Sequence, residues 1–248
     1  MTATVPVVLI TGSAHRLGAQ TAKTLHQRGW NLVIHYRSRE DQARTLVEDL
    51  NRERPDSAHS VQADLSLTAD VERLAHETTA RWCRLDALVN NASVFFPNPT
   101  EAATEEDWNT ILHTNLRGPF FLLKACLPAL RENGGSVVNM IDIYSERPLA
   151  DHPLYCASKA GLAALTRSWA KDLAPDVRVN GVSPGAILWP EGDGGTGKDS
   201  RQAILDKTPL ARTGNPEDIA NTIAFLICDA PFITGQIVAV DGGRSLNM

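Results

Sequence analysis

Short apolar runs alternate along the chain with longer segments in which apolar residues recur every three or four positions. The first run, Val5–Ile10, is almost wholly apolar and rich in β-branched residues, which is typical of a strand buried on both faces. Six later runs have a similar character. The predicted strands are Val5–Ile10, Asn31–Tyr36, His59–Ala63, Leu85–Asn90, Ser136–Ile141, Val177–Val182 and Ile237–Val240.

Amphipathic helices are predicted between these strands, and turn residues such as Gly29 end them. Gly118-Pro119 is expected to bend the longest helix, because proline removes a backbone hydrogen bond. The predicted helices are Ala19–His26, Arg39–Arg54, Thr68–Trp82, Glu105–Arg131, Pro153–Leu173 and Pro216–Cys228. Strands that alternate with helices predict an α/β fold. It is a single Rossmann-like domain over residues 1–248, with a doubly wound parallel sheet of about seven strands and helices on both faces.

One segment does not fit this alternation. Glu191–Asp199 has four glycines in nine residues, so it is not expected to form regular structure. Loops of this kind often close over active sites, and we interpret residues 188–200 as a substrate loop or lid. A surface insertion without such a role is the alternative.

Composition and charge exclude several classes of partner. The apolar fraction of 43% and the charged fraction of 21% are ordinary for a globular protein. The net charge of −5 argues against nucleic acid or an anionic membrane, both of which favour a basic face. No apolar run approaches the length of a membrane span, and the N-terminus lacks the pattern of a signal peptide. These features predict a cytoplasmic protein.

The sequence does not predict a metal site. The four cysteines (Cys83, Cys126, Cys156 and Cys228) are scattered, without a C-x-x-C pair, and are expected to be buried small side chains. His76-Glu77 begins like the H-E-x-x-H motif of zinc proteases, but Ala80 stands where the second histidine is required.

Two segments predict a dinucleotide site. The turn Thr11–Gly18 lies between a strand and a helix, where backbone N–H groups and the helix N-terminus would bind a pyrophosphate; an ordinary tight turn is the alternative. The second strand ends in His35-Tyr36-Arg37-Ser38-Arg39, without the carboxylate that binds the ribose of NAD. Cationic and hydroxyl groups suit a 2′-phosphate, so NADPH is the predicted cofactor. The alternative is the solvated start of a charged helix.

Two further segments fit a nucleotide crevice, and a third carries candidate proton chemistry. Asp64 could accept a hydrogen bond from adenine, and Asn90–Ser93 could line the adjacent wall. Tyr155 and Lys159 lie four residues apart, on one face of a predicted helix. A nearby ammonium is expected to lower the pKa of the phenol and bring it closer to the range useful for proton transfer.

Together these residues resemble the short-chain dehydrogenase/reductase family over essentially the whole chain. The matching motifs are Thr11…Gly18, Asn90-Asn91-Ala92, Asn115, Tyr155-x-x-x-Lys159, Ser183-Pro184-Gly185 and Asp241-Gly242-Gly243. The resemblance implies that Tyr155 and Lys159 carry the proton chemistry, that Asn115 supports a relay water and that Pro184-Gly185 lies against the nicotinamide. It also implies a homo-oligomer, expected here to be a tetramer. The cofactor-binding residues expected on this basis are Gly12, His15, Arg16, Leu17, Gly18, Tyr36, Arg37, Ser38, Asp64, Leu65, Asn91, Ala92, Ser93, Asn115, Met140, Tyr155, Lys159, Pro184 and Gly185.

The chain departs from the family pattern at two positions. Asp142 stands thirteen residues before Tyr155, where the family usually has a serine that polarises a substrate carbonyl. An ionised carboxylate only accepts hydrogen bonds, so it suits substrate N–H groups or a proton relay toward a ring nitrogen. Arg16 replaces a glycine, and its guanidinium could bind both phosphate and substrate.

With Asn90–Pro97, these departures resemble the pteridine reductase branch of the family. There, the arginine, serine, aspartate and tyrosine surround a pterin that is stacked between a phenylalanine and the nicotinamide. An aromatic side chain suits a flat heterocycle, and Phe95 is the predicted stacking residue, while Phe96 could be either stacking or core. The expected substrate-binding residues are Arg16, Ser93, Phe95, Asp142 and Tyr155, and the expected catalytic residues are Asp142, Tyr155 and Lys159.

The predicted reaction is NADPH-dependent reduction of a C=N bond in a dihydropterin or dihydrofolate. The first alternative is a carbonyl reductase of the same family acting on a ketone or a 3-oxoacyl substrate. Ser145 could stand in for the missing serine, although its offset of ten residues from Tyr155 does not match the family geometry. The second alternative is an NADPH-binding sensor without catalysis. Such proteins usually lack the tyrosine or the lysine, and both are present.

Overall fold

A computed structural model describes residues 5–189 and 198–247 of the protein. Its centre is a sheet of seven parallel strands in the order β3-β2-β1-β4-β5-β6-β7. The strands are β1 Val7–Ile10, β2 Asn31–Tyr36, β3 Ala58–Gln62, β4 Ala87–Asn90, β5 Ser136–Met140, β6 Arg178–Pro184 and β7 Ile237–Val240. The strand order reverses direction between β1 and β4, and ligands of such sheets bind at the carboxyl ends of the strands beside this point. The predicted fold class is confirmed.

Helices cover both faces of the sheet because successive strand residues point to opposite sides. Val7 and Leu9 pack with helices α3, α5 and α6, whereas Val8 and Ile10 pack with α1, α2 and α8. The helices are α1 Arg16–Gln27, α2 Glu40–Glu53, α3 Thr68–Trp82, α4 Glu105–Leu112, α5 Gly118–Glu132, α6 Pro153–Asp172, α7 Lys198–Asp206 and α8 Pro216–Cys228.

The long helix predicted at Glu105–Arg131 is interrupted earlier than expected. A π-helical turn at His113–Arg117 separates α4 from α5. Pro119 lies in the first turn of α5, where its missing N–H is tolerated. The Gly118 N–H reaches back five residues to the carbonyl of His113, so the wider turn absorbs the irregularity.

The predicted lid at 188–200 falls largely on residues 190–197, which lie outside the described residues. The expectation of irregular structure as far as Asp199 is wrong, because α7 begins at Lys198. After the last glycine the sequence consists mainly of good helix formers, which accounts for this start. In the described ranges, no helix is both long and apolar enough to cross a membrane.

Candidate active site

The turn after β1 is held closely against the end of β4. The side-chain amide of Asn91 donates to the carbonyls of Thr11 (2.8 Å) and Gly12 (3.0 Å), and the Thr11 hydroxyl accepts from the backbone N–H of Asn91 at 2.9 Å. A Cβ on Gly18 would lie 2.5 Å from the Gly12 oxygen, and one on Gly12 would lie 2.9 Å from Cα of Ala92. Glycine is therefore required at both positions for the turn to pack this tightly.

His35 belongs to the framework of this turn and is not a phosphate ligand. Its Nδ1 accepts from the Gly12 N–H at 2.9 Å and its Nε2 lies 3.0 Å from the carbonyl oxygen of Ala63, so Nε2 carries the proton. Burial lowers the pKa of His35 to about 4, which leaves the imidazole neutral at physiological pH. His35 therefore contributes no positive charge to the predicted phosphate site, whereas Arg37 and Arg39 remain exposed beside it.

A cleft of about 320 Å³ opens along the carboxyl ends of β1, β2 and β4. It brings together most of the predicted cofactor-binding residues, namely Gly12, His15, Arg16, Leu17, Gly18, Tyr36, Arg37, Ser38, Asp64, Leu65, Asn91, Ala92 and Ser93. One carboxylate oxygen of Asp64 accepts hydrogen bonds from the backbone N–H and hydroxyl of Ser66. Backbone donors at one end of the cleft and exposed guanidinium groups at the other fit a phosphorylated dinucleotide.

The remaining predicted residues lie at the ends of β5 and β6, on helix α6, in the π-helical turn at His113–Arg117 and on the segment after β4. Tyr155, in the first turn of α6, donates its hydroxyl proton to Oδ2 of Asp142 at 2.8 Å. The other carboxylate oxygen accepts from the backbone N–H of Tyr144 at 2.9 Å. The structure therefore joins the predicted Asp142–Tyr155 pair directly, with the phenol as donor and the carboxylate as acceptor.

Lys159 lies one helical turn from Tyr155, as predicted, but its ammonium makes a different contact. It is 2% exposed and donates to the carbonyl of Met140 at 2.9 Å, while Nζ lies 5.7 Å from the centroid of the Tyr155 ring. Burial lowers the pKa of Lys159 to about 8. Met140, predicted to bind cofactor, thus contributes the carbonyl that orients the lysine.

The ionisation of the pair differs from the sequence-based expectation. Burial, followed by the neighbouring carboxylate of Asp142, raises the pKa of Tyr155 well above its usual value. Burial also raises the pKa of Asp142, although Lys159 opposes this shift. The expected lowering of the phenol pKa by Lys159 is wrong, because burial and the Asp142 carboxylate act in the opposite direction. Burial thus shifts the pKa of both groups in the direction that favours the protonated form.

Asn115 lies in the π-helical turn and fastens the segment after β4. Its side-chain oxygen accepts from the Val94 N–H at 2.8 Å, and its amide donates to the Val94 carbonyl at 2.9 Å and to the Ser158 hydroxyl at 3.2 Å. Pro184 ends β6, and the Gly185 N–H continues the pairing with β7. These predicted residues thus lie at the carboxyl end of β6 and beside the segment that follows β4.

Phe95 is 44% exposed and packs between two other rings of the site. One contact is a parallel stack with His152, with ring centroids 4.5 Å apart and planes 12° apart. The other is edge-on to Tyr155, at 4.7 Å. Half-buried Phe96 and exposed Ser93 lie on the same segment. Phe95 therefore offers an aromatic face next to the predicted proton donor.

Arg16 has a left-handed backbone conformation, with φ of 54°, and its side chain turns toward the chain that follows β6. The guanidinium donates to the carbonyls of Trp189 at 3.1 Å and Leu188 at 3.4 Å. It lines the cleft and so remains beside the predicted pyrophosphate and substrate positions.

Sequence reasoning missed three side chains of this site. His152 stacks on Phe95, and its signal is its place three residues before Tyr155, at the start of α6. Tyr144 follows Asp142 by two residues, and Arg244, directly after Asp241-Gly242-Gly243, donates to the Tyr144 hydroxyl at 3.1 Å. Since 100 residues separate this last pair, spacing could not reveal the contact.

Comparisons with known proteins assign the chain to a family. Residues 12–245 match the family described as enoyl-(acyl carrier protein) reductase. The 3-oxoacyl-(acyl-carrier-protein) reductase FabG of Staphylococcus aureus is 33% identical over 238 residues, which is 95% of this chain and 96% of the relative. Pteridine reductase 1 of Leishmania tarentolae is 34% identical over 285 aligned positions, covering 98% of this chain and 97% of the relative. The granaticin polyketide synthase putative ketoacyl reductase 2 of Streptomyces violaceoruber is 38% identical over 247 residues, covering 97% and 96%. The chain therefore belongs to the short-chain dehydrogenase/reductase family, oxidoreductases that use a nicotinamide cofactor.

Proposed function

We propose that this protein reduces a C=N bond of a dihydropterin or dihydrofolate to the tetrahydro form, with NADPH as the reductant. The observation that carries the proposal is the 2.8 Å hydrogen bond from Tyr155 to Asp142. A carboxylate at this position accepts the hydrogen bond from the phenol O–H. It also offers an acceptor to substrate N–H groups. A substrate carbonyl would require a donor there instead.

The chemistry of the pair suits protonation of a ring nitrogen. NADPH supplies the hydride when bound. Burial raises the pKa of Asp142, so the carboxyl takes up a proton at a higher pH than an exposed aspartate and can pass it on, with Tyr155 as its partner. Lys159, fixed by Met140, holds the nicotinamide ribose in this proposal. Asp142, Tyr155 and Lys159 are the proposed catalytic residues.

The flat substrate ring is proposed to lie on Phe95, whose other contacts are the rings of His152 and Tyr155. A ring stacked from behind presents a rigid apolar face at little cost in side-chain entropy. Ser93 and Arg16 complete the proposed substrate contacts as donors. The segment 188–200 is proposed to close over this face.

For the cofactor, the exposed Arg37 and Ser38 at the end of β2 support NADPH over NADH, because they offer a cation and a hydroxyl to a 2′-phosphate. The whole chain, 1–248, is proposed to act as one NADPH-binding reductase domain in the cytoplasm, assembled as a homotetramer by analogy with the family.

The test is NADPH oxidation by the purified protein against oxidised pterins, dihydrobiopterin, dihydrofolate and acetoacetyl thioesters. Dihydropterin turnover is expected. The variant Asp142→Ser is expected to lose this turnover while NADPH binding, measured by fluorescence, stays nearly unchanged. Dihydropterin turnover that survives in Asp142→Ser would overturn the role given to the carboxyl.

A second candidate is an NADPH-dependent carbonyl reductase, favoured by the names of two relatives, a 3-oxoacyl reductase and a putative ketoacyl reductase. In this structure the Tyr155 hydroxyl donates to Asp142 and not to Ser145, the serine three residues after Asp142. If the acetoacetyl thioester is reduced and the pterins are not, the carbonyl assignment replaces ours. A measured turnover of either substrate class excludes the non-catalytic sensor.

A further inference from the structure

Arg244 is a buried arginine that neither the motifs nor the proposed reaction uses. It begins the short 3₁₀ helix Arg244–Leu246, directly after β7, and is 8% exposed. Its Nη2 donates to the Tyr144 hydroxyl at 3.1 Å, and its guanidinium carbon lies 5.7 Å from the centroid of the Tyr144 ring. Its Nε is buried and has no hydrogen-bond partner in the part of the chain that the structure describes.

A guanidinium is expensive to bury unless nearby groups compensate its charge and donors. As far as the structure describes the chain, Arg178 is an arginine whose donors are compensated by the backbone alone. It donates to backbone carbonyls at the end of α8, among them those of Leu226 and Ile227. Arg244 has a contact of a different kind: it donates to a tyrosine whose own backbone N–H binds the Asp142 carboxylate at 2.9 Å. The contacts of the buried Arg244 guanidinium therefore lead, through Tyr144, to the Asp142 carboxylate of the active site.

The contacts form one continuous path to the proposed proton donor. Arg244 donates to the Tyr144 hydroxyl, and the backbone N–H of Tyr144 donates to Oδ1 of Asp142. Oδ2 of Asp142 accepts from the Tyr155 hydroxyl at 2.8 Å. We propose that Arg244 is a positioning residue for the proton transfer, one that fixes Tyr144 and, through it, orients the Asp142 carboxylate toward Tyr155. This inference rests on the proposed role of the Asp142–Tyr155 pair, but not on which substrate the pair protonates.

Arg244 also acts on Asp142 through its charge. Several titratable groups face this carboxyl: Tyr144 on its own segment, Tyr155, Cys156 and Lys159 on α6, and Arg244 after β7. Burial raises the pKa of Asp142, whereas the positive charges of Lys159 and Arg244 lower it. Without Arg244, the pKa of Asp142 would therefore be higher still. The pKa of Tyr144, which burial raises and Arg244 lowers, would move in the same direction.

The first experiment is the pH profile of kcat/KM for Arg244→Gln, with whichever substrate the wild-type enzyme turns over. Reduction consumes the proton of the pair, so activity falls as pH rises through its apparent pKa. In Arg244→Gln this fall is expected to move to higher pH by on the order of one unit, and kcat is expected to decrease. Arg244→Lys retains the charge and is expected to restore the wild-type profile in large part.

Arg178→Gln is the matched control, because it removes another partly buried arginine that bonds only to backbone carbonyls among its described contacts. It is expected to lower the melting temperature without moving the pH profile. A folded Arg244→Gln enzyme with an unmoved profile would overturn the inference, even if its kcat is reduced, since a merely structural role predicts that result.

A second readout needs no substrate and separates this inference from the proposed function. The chain has three tyrosines, so tyrosinate formation can be followed by ultraviolet absorbance, and Tyr144→Phe identifies the signal of Tyr144. In Arg244→Gln, or in Arg244→Met if the glutamine variant does not fold, Tyr144 is expected to ionise at higher pH than in the wild type, because the positive charge that lowers its pKa is removed. If the protein turns over none of the substrates, the tyrosine titration alone tests the inference. A shift in the pH at which Tyr144 ionises supports the coupling of Arg244 to the site, and the absence of a shift overturns it.

Discussion

The buried ammonium of Lys159 should lower the free energy of unfolding at neutral pH, compared with a protein that has an uncharged side chain at this position. We expect Lys159→Met to lose reductase activity and yet to gain stability relative to the wild type near pH 7. Lys159 is 2% exposed, and Met140 provides its hydrogen-bonded carbonyl at 2.9 Å. One hydrogen bond to a backbone carbonyl does not replace the hydration of a charged amine, so folding carries an electrostatic penalty.

The size of this penalty follows from the pKa of the lysine. Burial lowers the pKa of Lys159 from 10.5 to about 8, which corresponds to about 3 kcal/mol of free energy of unfolding. Below pH 8 the amine is charged in both states and the folded protein bears the whole penalty. Between pH 8 and 10.5 the folded state releases the proton first, so stability increases with pH. Above 10.5 the amine is neutral in both states and the penalty is absent.

The assay is urea unfolding of the cofactor-free wild type and Lys159→Met at several pH values. Packing and hydrogen-bond changes affect the difference in unfolding free energy equally at every pH, so its pH dependence isolates the charge. Between pH 7 and about 10.5 the difference should shift by about 3 kcal/mol in favour of the wild type. Lys171→Met, at the exposed end of the same helix, is the control and should show no such shift. A constant difference for Lys159→Met would refute the argument that burial suppresses its charge.

Three other substitutions test the cleft. Gly18→Ala places a Cβ 2.5 Å from the Gly12 oxygen, so it should cost about 2 kcal/mol of stability and weaken NADPH binding, as measured by thermal shift with and without cofactor. Arg37→Asp should raise the KM for NADPH by at least about tenfold and leave that for NADH unchanged or lower; an unchanged NADPH value would contradict the phosphate assignment. Phe95→Ala should raise the KM for the dihydropterin about tenfold without affecting NADPH, whereas a change confined to NADPH would place Phe95 outside the substrate site.

The sequence predicted the fold well because most strands of this parallel sheet, covered on both faces, are short runs rich in apolar residues between helices. All seven strands lie within about two residues of the predicted bounds; β1, for example, begins at Val7 and not at Val5. The interruption at His113–Arg117 could not be predicted, since a π-helical turn has no sequence period of its own at this length. Helix α7 was missed because the glycines before it obscured its start.

Within the candidate site, sequence spacing predicted contacts inside one element and failed for contacts between distant ones. Tyr155 and Lys159 share a helix face because they are four residues apart. The direction in which Lys159 points, toward Met140, depends on the packing of α6 against β5. His35 is a further contact that spacing does not reveal: it precedes the predicted phosphate site at the end of β2, and its burial and its bond to Gly12 make it a neutral part of the turn after β1.

The identity of residue 142 carries more information about the substrate than the tyrosine and lysine do. Tyr155 and Lys159 would serve a carbonyl or a ring C=N equally, since each reaction needs a proton close to a hydride. A carboxyl that accepts a hydrogen bond from the tyrosine hydroxyl, and whose pKa burial raises, fits a ring nitrogen better than a carbonyl oxygen. If Arg244 also restrains that carboxyl, two buried cations, Lys159 and Arg244, act on the charge of one aspartate. Lys159 belongs to the family motif, in which a serine is usual at position 142, so its burial does not depend on Asp142. Arg244 is the additional cation, and a serine at position 142 would give it no charge to oppose, so its burial is most simply explained by the chemistry of Asp142.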